Sequence, residues 1–101
     1  MAGILHGDAV LALALIHHLA ISNNLPLERI AENFAGCGQW LIIEFVPKSD
    51  SQVKRLLQNR EDIFDKYSRE GFESAFTKFF VIKKHSVLME SDRVLYLMKK
   101  K

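Results

Sequence analysis

Ala9–Ile16 reads AVLALALI, eight apolar residues without a break, opened by Asp8 and closed by His17, His18 and Leu19. A second run, Trp40–Val46 (WLIIEFV), follows a stretch of helical pattern and carries one charge, Glu44. A strand with one wet face alternates apolar and polar side chains. A continuous apolar run instead marks a strand covered on both faces, the habit of parallel sheets with helices packed over them. The chain therefore reads as α/β.

Working outward, Asp8–Leu15 is the first strand, and residues 16–24 (IHHLAISNN) form the loop at its carboxyl edge. Pro26 falls in a first helical turn, where its missing N–H costs nothing. Leu27, Ile30, Ala31 and Phe34 then recur at i, i+3, i+4 and i+7, one apolar helix face that Gly36 and Gly38 terminate. Strand, helix, strand in that order implies a right-handed parallel crossover into Trp40–Val46, which Pro47 ends. Ser49 and Gln52 have capping-box spacing ahead of a helix with Val53, Leu56 and Leu57 on its buried stripe. Residues 59–68 are charged and irregular, with Ile63 and Phe64 as anchors. The next helix, 69–79, presents Phe72, Ala75, Phe76 and Phe79. With Phe80 these aromatics are core, not a base-stacking platform, because their spacing is one helix face. Trp40 is read as core or helix-facing. Two last strands, 80–85 and 93–98, are joined through 86–92 as an antiparallel pair. Residues 1–101 form a single domain with about four strands, two parallel plus the antiparallel C-terminal pair.

Composition narrows the function classes. With 49% hydrophobic residues among 101, the chain can build a packed core. The net charge is +2, and Lys99, Lys100 and Lys101 supply three of the basic residues, so the body is about neutral. Neither nucleic acid nor a membrane surface gains support from that balance. Cys37 stands alone, which rules out an internal disulfide or a Cys-based zinc site and suits a reducing cytoplasm. The opening segment lacks Lys and Arg, and Asp8 and two histidines bracket its apolar run, which argues against a secretory signal. The run is also too short to span a bilayer.

In open α/β sheets, ligands gather beyond the carboxyl ends of the strands. His17 and His18 sit there, as candidate site residues or as loop histidines that cap backbone groups. Adjacent residues diverge in direction, so the pair is not a metal site. Glu44 is the lone charge of its strand, and a buried carboxylate must be paired or neutral, which makes it a candidate functional acid. Lys48, Ser49 and Asp50 follow on the same edge and would border an acceptor pocket. Asp8 is expected to fix the entry of the first strand by backbone hydrogen bonds.

The series β-α-β-α-α-β-β resembles the second half of a class I S-adenosylmethionine-dependent methyltransferase. Asp8-Ala9-Val10 followed by Ile16-His17-His18-Leu19 is similar to that family's acidic opening of its fourth strand and its "L-x-H-hydrophobic" close. Phe34-Ala35-Gly36-Cys37-Gly38 and Leu41-Ile42-Ile43-Glu44 resemble its Gly-Gly turn and fifth strand, and Arg93-Val94-Leu95-Tyr96-Leu97 its final strand. Residues 15–50 are particularly similar to nodulation-protein-like methyltransferases. The resemblance implies a Rossmann-like sheet ordered first–second–fourth–third strand. It also implies S-adenosylmethionine as cofactor of the complete fold and a small-molecule methyl acceptor near His18. The [DN]-P-P-[FYW] motif of base and protein amino methylation is missing, which weighs against those targets.

One departure is large. Gly3, Gly7, Gly36, Gly38 and Gly71 never form G-x-G-x-G or G-x-G-x-x-G after a strand, so the cofactor-cradling half of the family's fold is not in this sequence. The chain alone is then expected to be inactive and to hold no cofactor, as a truncated reading frame or as a half completed by a partner. In the complete fold, strand Asp8–Leu15 would pair with the missing cofactor-binding strand. Its bare edge should be covered in trans, by a homodimer through that strand or by a chain supplying the missing half. Two other readings stand beside this one: a non-catalytic complementing module that lends this strand to a separate catalytic chain, and an unrelated small α/β interaction domain.

Overall fold

The computed structural model describes residues 4–6, 9–89 and 91–101. Its strands are β1 (Ile4–His6), β2 (Ala9–Ala12), β3 (Trp40–Phe45), β4 (Phe80–Val87) and β5 (Val94–Lys100), and its α-helices are α1 (Leu27–Ala35), α2 (Ser51–Leu57) and α3 (Arg69–Phe76). One mixed sheet runs β1-β2-β3-β5-β4. β2 and β3 are parallel, and β5 lies antiparallel between β3 and β4. The four strands read from the sequence thus take the order first–second–fourth–third, with the expected directions. The Rossmann-like comparison reaches no further than this α/β layout.

Periodicity explains the packing. Val10 and Ala12 of β2, Leu41, Ile43 and Phe45 of β3, and Val94, Tyr96 and Met98 of β5 point to one face and are buried. α3 presses Phe72 against Phe45 and Tyr96, with ring centroids 5.1 Å apart in each pair, while Phe76 stacks on Phe80 at 6.1 Å. α1 buries Leu27, Ile30, Ala31 and Phe34, and it packs beside α3 on that same face. The aromatics placed in the core from sequence are there, Phe79 only partly.

Four differences from the sequence reading have physical causes. The first strand stops at Ala12, because Ala14 takes φ 51°, a left-handed backbone that breaks strand geometry. Residues 16–24 are no open loop; His18–Ser22 form a wide helical turn that buries Ala20 and Ile21. Asp50, not Ser49, caps α2: its carboxylate accepts the Gln52 N–H at 2.9 Å. Ile63 is 63% exposed and anchors nothing; Phe64 packs partly against the core as expected, and Tyr67 joins it, buried with its hydroxyl donating to the Val46 carbonyl.

Two further corrections concern what the sheet shows to the outside. The edge of β2 is not bare, since β1 pairs with it antiparallel through Ile4↔Leu11, Leu5↔Val10 and His6↔Ala9. The reason given for a homodimer through Asp8–Leu15 falls with it. Nor are the strands covered on both faces: Trp40, read as core or helix-facing, is 36% exposed on the face away from the helices. Asp8, the expected strand entry, lies outside the described residues. Among the described residues no helix is long and apolar enough to cross a membrane.

Candidate functional site

The carboxyl ends of β2 and β3 bring four chain segments together. Beyond β2 the left-handed backbone at Ala14 turns its N–H onto Glu44 Oε1 at 2.9 Å. Glu44 itself is buried near the end of β3, so this amide satisfies a carboxylate that burial would otherwise penalise. The connection leaving β3 delivers Asp50, and the residue preceding β5 delivers Arg93. Arg93 grips Asp50 with two nitrogens, Nε to Oδ2 at 2.8 Å and Nη2 to Oδ1 at 3.2 Å, and reaches Glu44 Oε1 with Nη1 at 3.3 Å. One guanidinium therefore joins both carboxylates, the planar fork matching Asp50 in a bidentate pair. The Arg93 hydrogen bonds, with the Gln52 amide, hold the Asp50 carboxyl below its ordinary range.

His17 lies behind this network. Its ring is 1% exposed and sits 4.2 Å from that of His18, centroid to centroid, while Nδ1 has no hydrogen-bond partner among the described residues. Burial first, then the neighbouring His18 and Arg93, lower its pKa to about 4, so the ring is neutral near pH 7. His18 is exposed.

Two open clefts adjoin the network. Glu44, Ser49, Asp50, Ser51, Ser91 and Arg93 line one of about 590 Å³. Pro47, Lys48, Tyr67, Ser68 and Arg69 border the second, about 560 Å³. Ser49 donates to Asp92 Oδ2 at 3.0 Å, and this pair forms the ridge between them. The first cleft is rich in hydroxyls and carboxylates and suits a small polar molecule. Of the residues singled out from sequence, Glu44, Ser49 and Asp50 meet at that cleft. Lys48 lines the second and is held by Asp62 at 2.9 Å. His17 and His18 line neither.

The chain resembles part of a nodulation protein. It is 49% identical over 90 residues to nodulation protein NoeA of Rhizobium meliloti (strain 1021), a match covering 88% of this chain and 19% of that protein. The chain thus spans about a fifth of the relative's length. No family model matches the sequence, and no solved structure matches the fold.

The residue missed by sequence reasoning is Arg93, the hub of the network. Its only signal was register. β3 and β5 pair antiparallel with Glu44 opposite Leu95 and Phe45 opposite Val94, which sets the residue before β5 beside the end of β3. A second polar cluster also escaped notice: Arg69 Nε donates to Tyr96 Oη at 3.1 Å and to Glu73 at 3.2 Å, and the Tyr96 hydroxyl donates to Glu73. Burial and the Glu73 bond push the Tyr96 hydroxyl up to about 12.

Neither Gly36 nor Gly71 forms a cradle for a nucleotide-like cofactor. Gly36 closes α1 with an ordinary helical backbone, and a Cβ on Gly71 would lie 2.0 Å from the Lys66 carbonyl oxygen. Those glycines serve a helix end and a close backbone crossing, not a ligand cradle. Among the described residues no three His, Cys, Asp or Glu side chains converge on a metal-sized site.

Proposed function

We propose that this chain is the acceptor-side part of an S-adenosylmethionine-dependent methyltransferase fold acting on a small molecule, without activity on its own. The observation that carries the reading is the reversed strand β5 lying between β3 and β4, in a sheet whose first two long strands are parallel. That insertion is what the resemblance to the methyltransferase family leads one to expect at this end of its sheet. The likeness to a nodulation protein several times longer is consistent with a piece of a larger catalytic unit.

On this reading the hydroxyl-rich cleft at Glu44, Ser49 and Asp50 receives the acceptor, at the sheet edge where open α/β folds bind ligands. Arg93 binds Asp50 and Glu44 together and fixes their direction, so both aim carboxyl oxygens toward a substrate hydroxyl or amine. His18 is exposed on the turn after β2, outside the lining of that cleft, and buried His17 supports the turn. S-adenosylmethionine would be held by polypeptide outside these residues.

The test is a transplant. The corresponding segment of the rhizobial relative is replaced by this chain, and the folded chimera is irradiated with radiolabelled S-adenosylmethionine. Covalent labelling that excess S-adenosylhomocysteine suppresses is the expected result. A folded chimera and a folded parent that both stay unlabelled would overturn the methyltransferase reading.

A further inference from the structure

The face of the sheet opposite α1 and α3 is an apolar surface with a basic border. Register places Leu11, Ile42 and Leu97 in one row across β2, β3 and β5, and Trp40 and Val81 in the next row, on the same side. Leu95 extends the patch along β5. All of these are partly exposed, Trp40 at 36% and Val81 at 43%, whereas their neighbours on the helix side are buried. Single exposed apolar residues are ordinary; a contiguous set spanning four strands is not.

Charge says what covers it. Lys84 stands opposite Leu97 and Lys99 opposite Trp40 and Val81, so both lysines project from this face. Lys99 Nζ lies 5.5 Å from the Trp40 ring centroid, and neither lysine forms an ion pair among the described residues. β4 and β5 carry no Asp or Glu at all. Glu44, the carboxylate that β3 places on this side, is taken by Ala14 and Arg93. A second copy of the chain would bring the same lysines and no free strand carboxylate to meet them.

We propose that this open face docks an amphipathic helix of polypeptide beyond these 101 residues, whose apolar stripe covers Leu11, Ile42 and Leu97 and whose acidic flank meets Lys84 and Lys99. A helix is the element that closes the second face of an α/β sheet, and opposite charge at the rim sets its orientation. The surface does not depend on the methyltransferase reading. It also replaces the β2 edge, which β1 already occupies, as the place where this chain meets a partner.

The chain's single tryptophan reports on the site directly. Two synthetic helical peptides of about 18 residues share one leucine stripe and differ only in glutamate or lysine flanks. Titrated into the purified chain at low salt, the acidic peptide should shift Trp40 emission to the blue and bind at least about tenfold tighter than the basic one. The gap should close at high salt. In the Lys84→Glu/Lys99→Glu variant the preference should invert, an outcome that loss of folding cannot mimic. Equal binding of both peptides, or no response from Trp40, would overturn the proposal. So would a concentration-dependent dimer that hides Trp40, because a second copy would then be the occupant.

Discussion

Arg93 and Asp50 form a bidentate pair, 2.8 and 3.2 Å, that clasps the start of β5 to the N-terminus of α2 across 43 residues of sequence. Glu44 is drawn into the same guanidinium, so three segments share one cation. Removing that cation would leave two carboxylates, one of them buried, without their counter-charge. Arg93→Met should therefore destabilise the fold by about 2–4 kcal/mol, and Arg93→Lys, which keeps charge but not the fork, by roughly half as much. Urea unfolding monitored by circular dichroism measures both. A loss below about 0.5 kcal/mol for the methionine variant would mean that the network contributes little.

His17 makes stability depend on pH. Its folded pKa of about 4 lies below the ordinary 6.5. Between those values the unfolded chain holds a proton that the folded chain refuses. Stability is thus complete above pH ~6.5 and drains as pH falls toward ~4, by at most about 3 kcal/mol. Asp50, held below the usual carboxylate range by Arg93, adds its own loss only at more acidic pH. Unfolding free energies at pH 7 and 4.5 should differ in the wild type and converge in His17→Phe. An unchanged slope in the variant would assign the acid sensitivity elsewhere.

Gly71 lies against the Lys66 carbonyl with no room for a side chain: a β-carbon at this position would sit 2.0 Å from the carbonyl oxygen. No rotamer relieves a backbone clash. Gly71→Ala should cost more than about 2 kcal/mol although alanine is the better helix former, reversing the sign expected inside a helix. A thermal midpoint equal to or above the wild type would show that the 66–71 crossing opens easily.

Tyr67 donates its hydroxyl to the Val46 carbonyl in a buried setting, and burial pushes its ionisation well above the ordinary tyrosine range. Tyr67→Phe keeps the ring packed on Phe45 and strands the carbonyl, at a cost of about 1–2 kcal/mol. Hydrogen exchange should quicken around 46–50 before the rest of the sheet. Uniform exchange would place the loss elsewhere.

Helix positions, strand positions and the phenylalanine core were legible because each follows from a local period: two apolar runs, helical spacing at Leu27–Phe34 and Phe72–Phe79, and a polar connection before the last strand. The strand order, by contrast, was an expectation of the methyltransferase resemblance. What escaped depends on pairing. Ile4–His6 is too short to announce a strand, yet it closes the β2 edge. The apolar runs were read as covered twice, whereas alternate residues such as Trp40 and Ile42 emerge on an open face. Glu44 was noticed as an odd charge, but its partner Arg93 is 49 residues away and is brought in only by the β3–β5 register. Glu44 and Asp50 were thus visible singly; Arg93 and the network it makes with them were not.

The most direct measurement of the central claim is a paired calorimetric titration of S-adenosylmethionine and S-adenosylhomocysteine into this chain and into the full-length rhizobial relative. Micromolar binding by the relative and no heat from the chain at millimolar ligand are expected if, as proposed, the cofactor side of the fold lies outside these residues. Micromolar binding by the chain itself, or none by the folded relative, would contradict it.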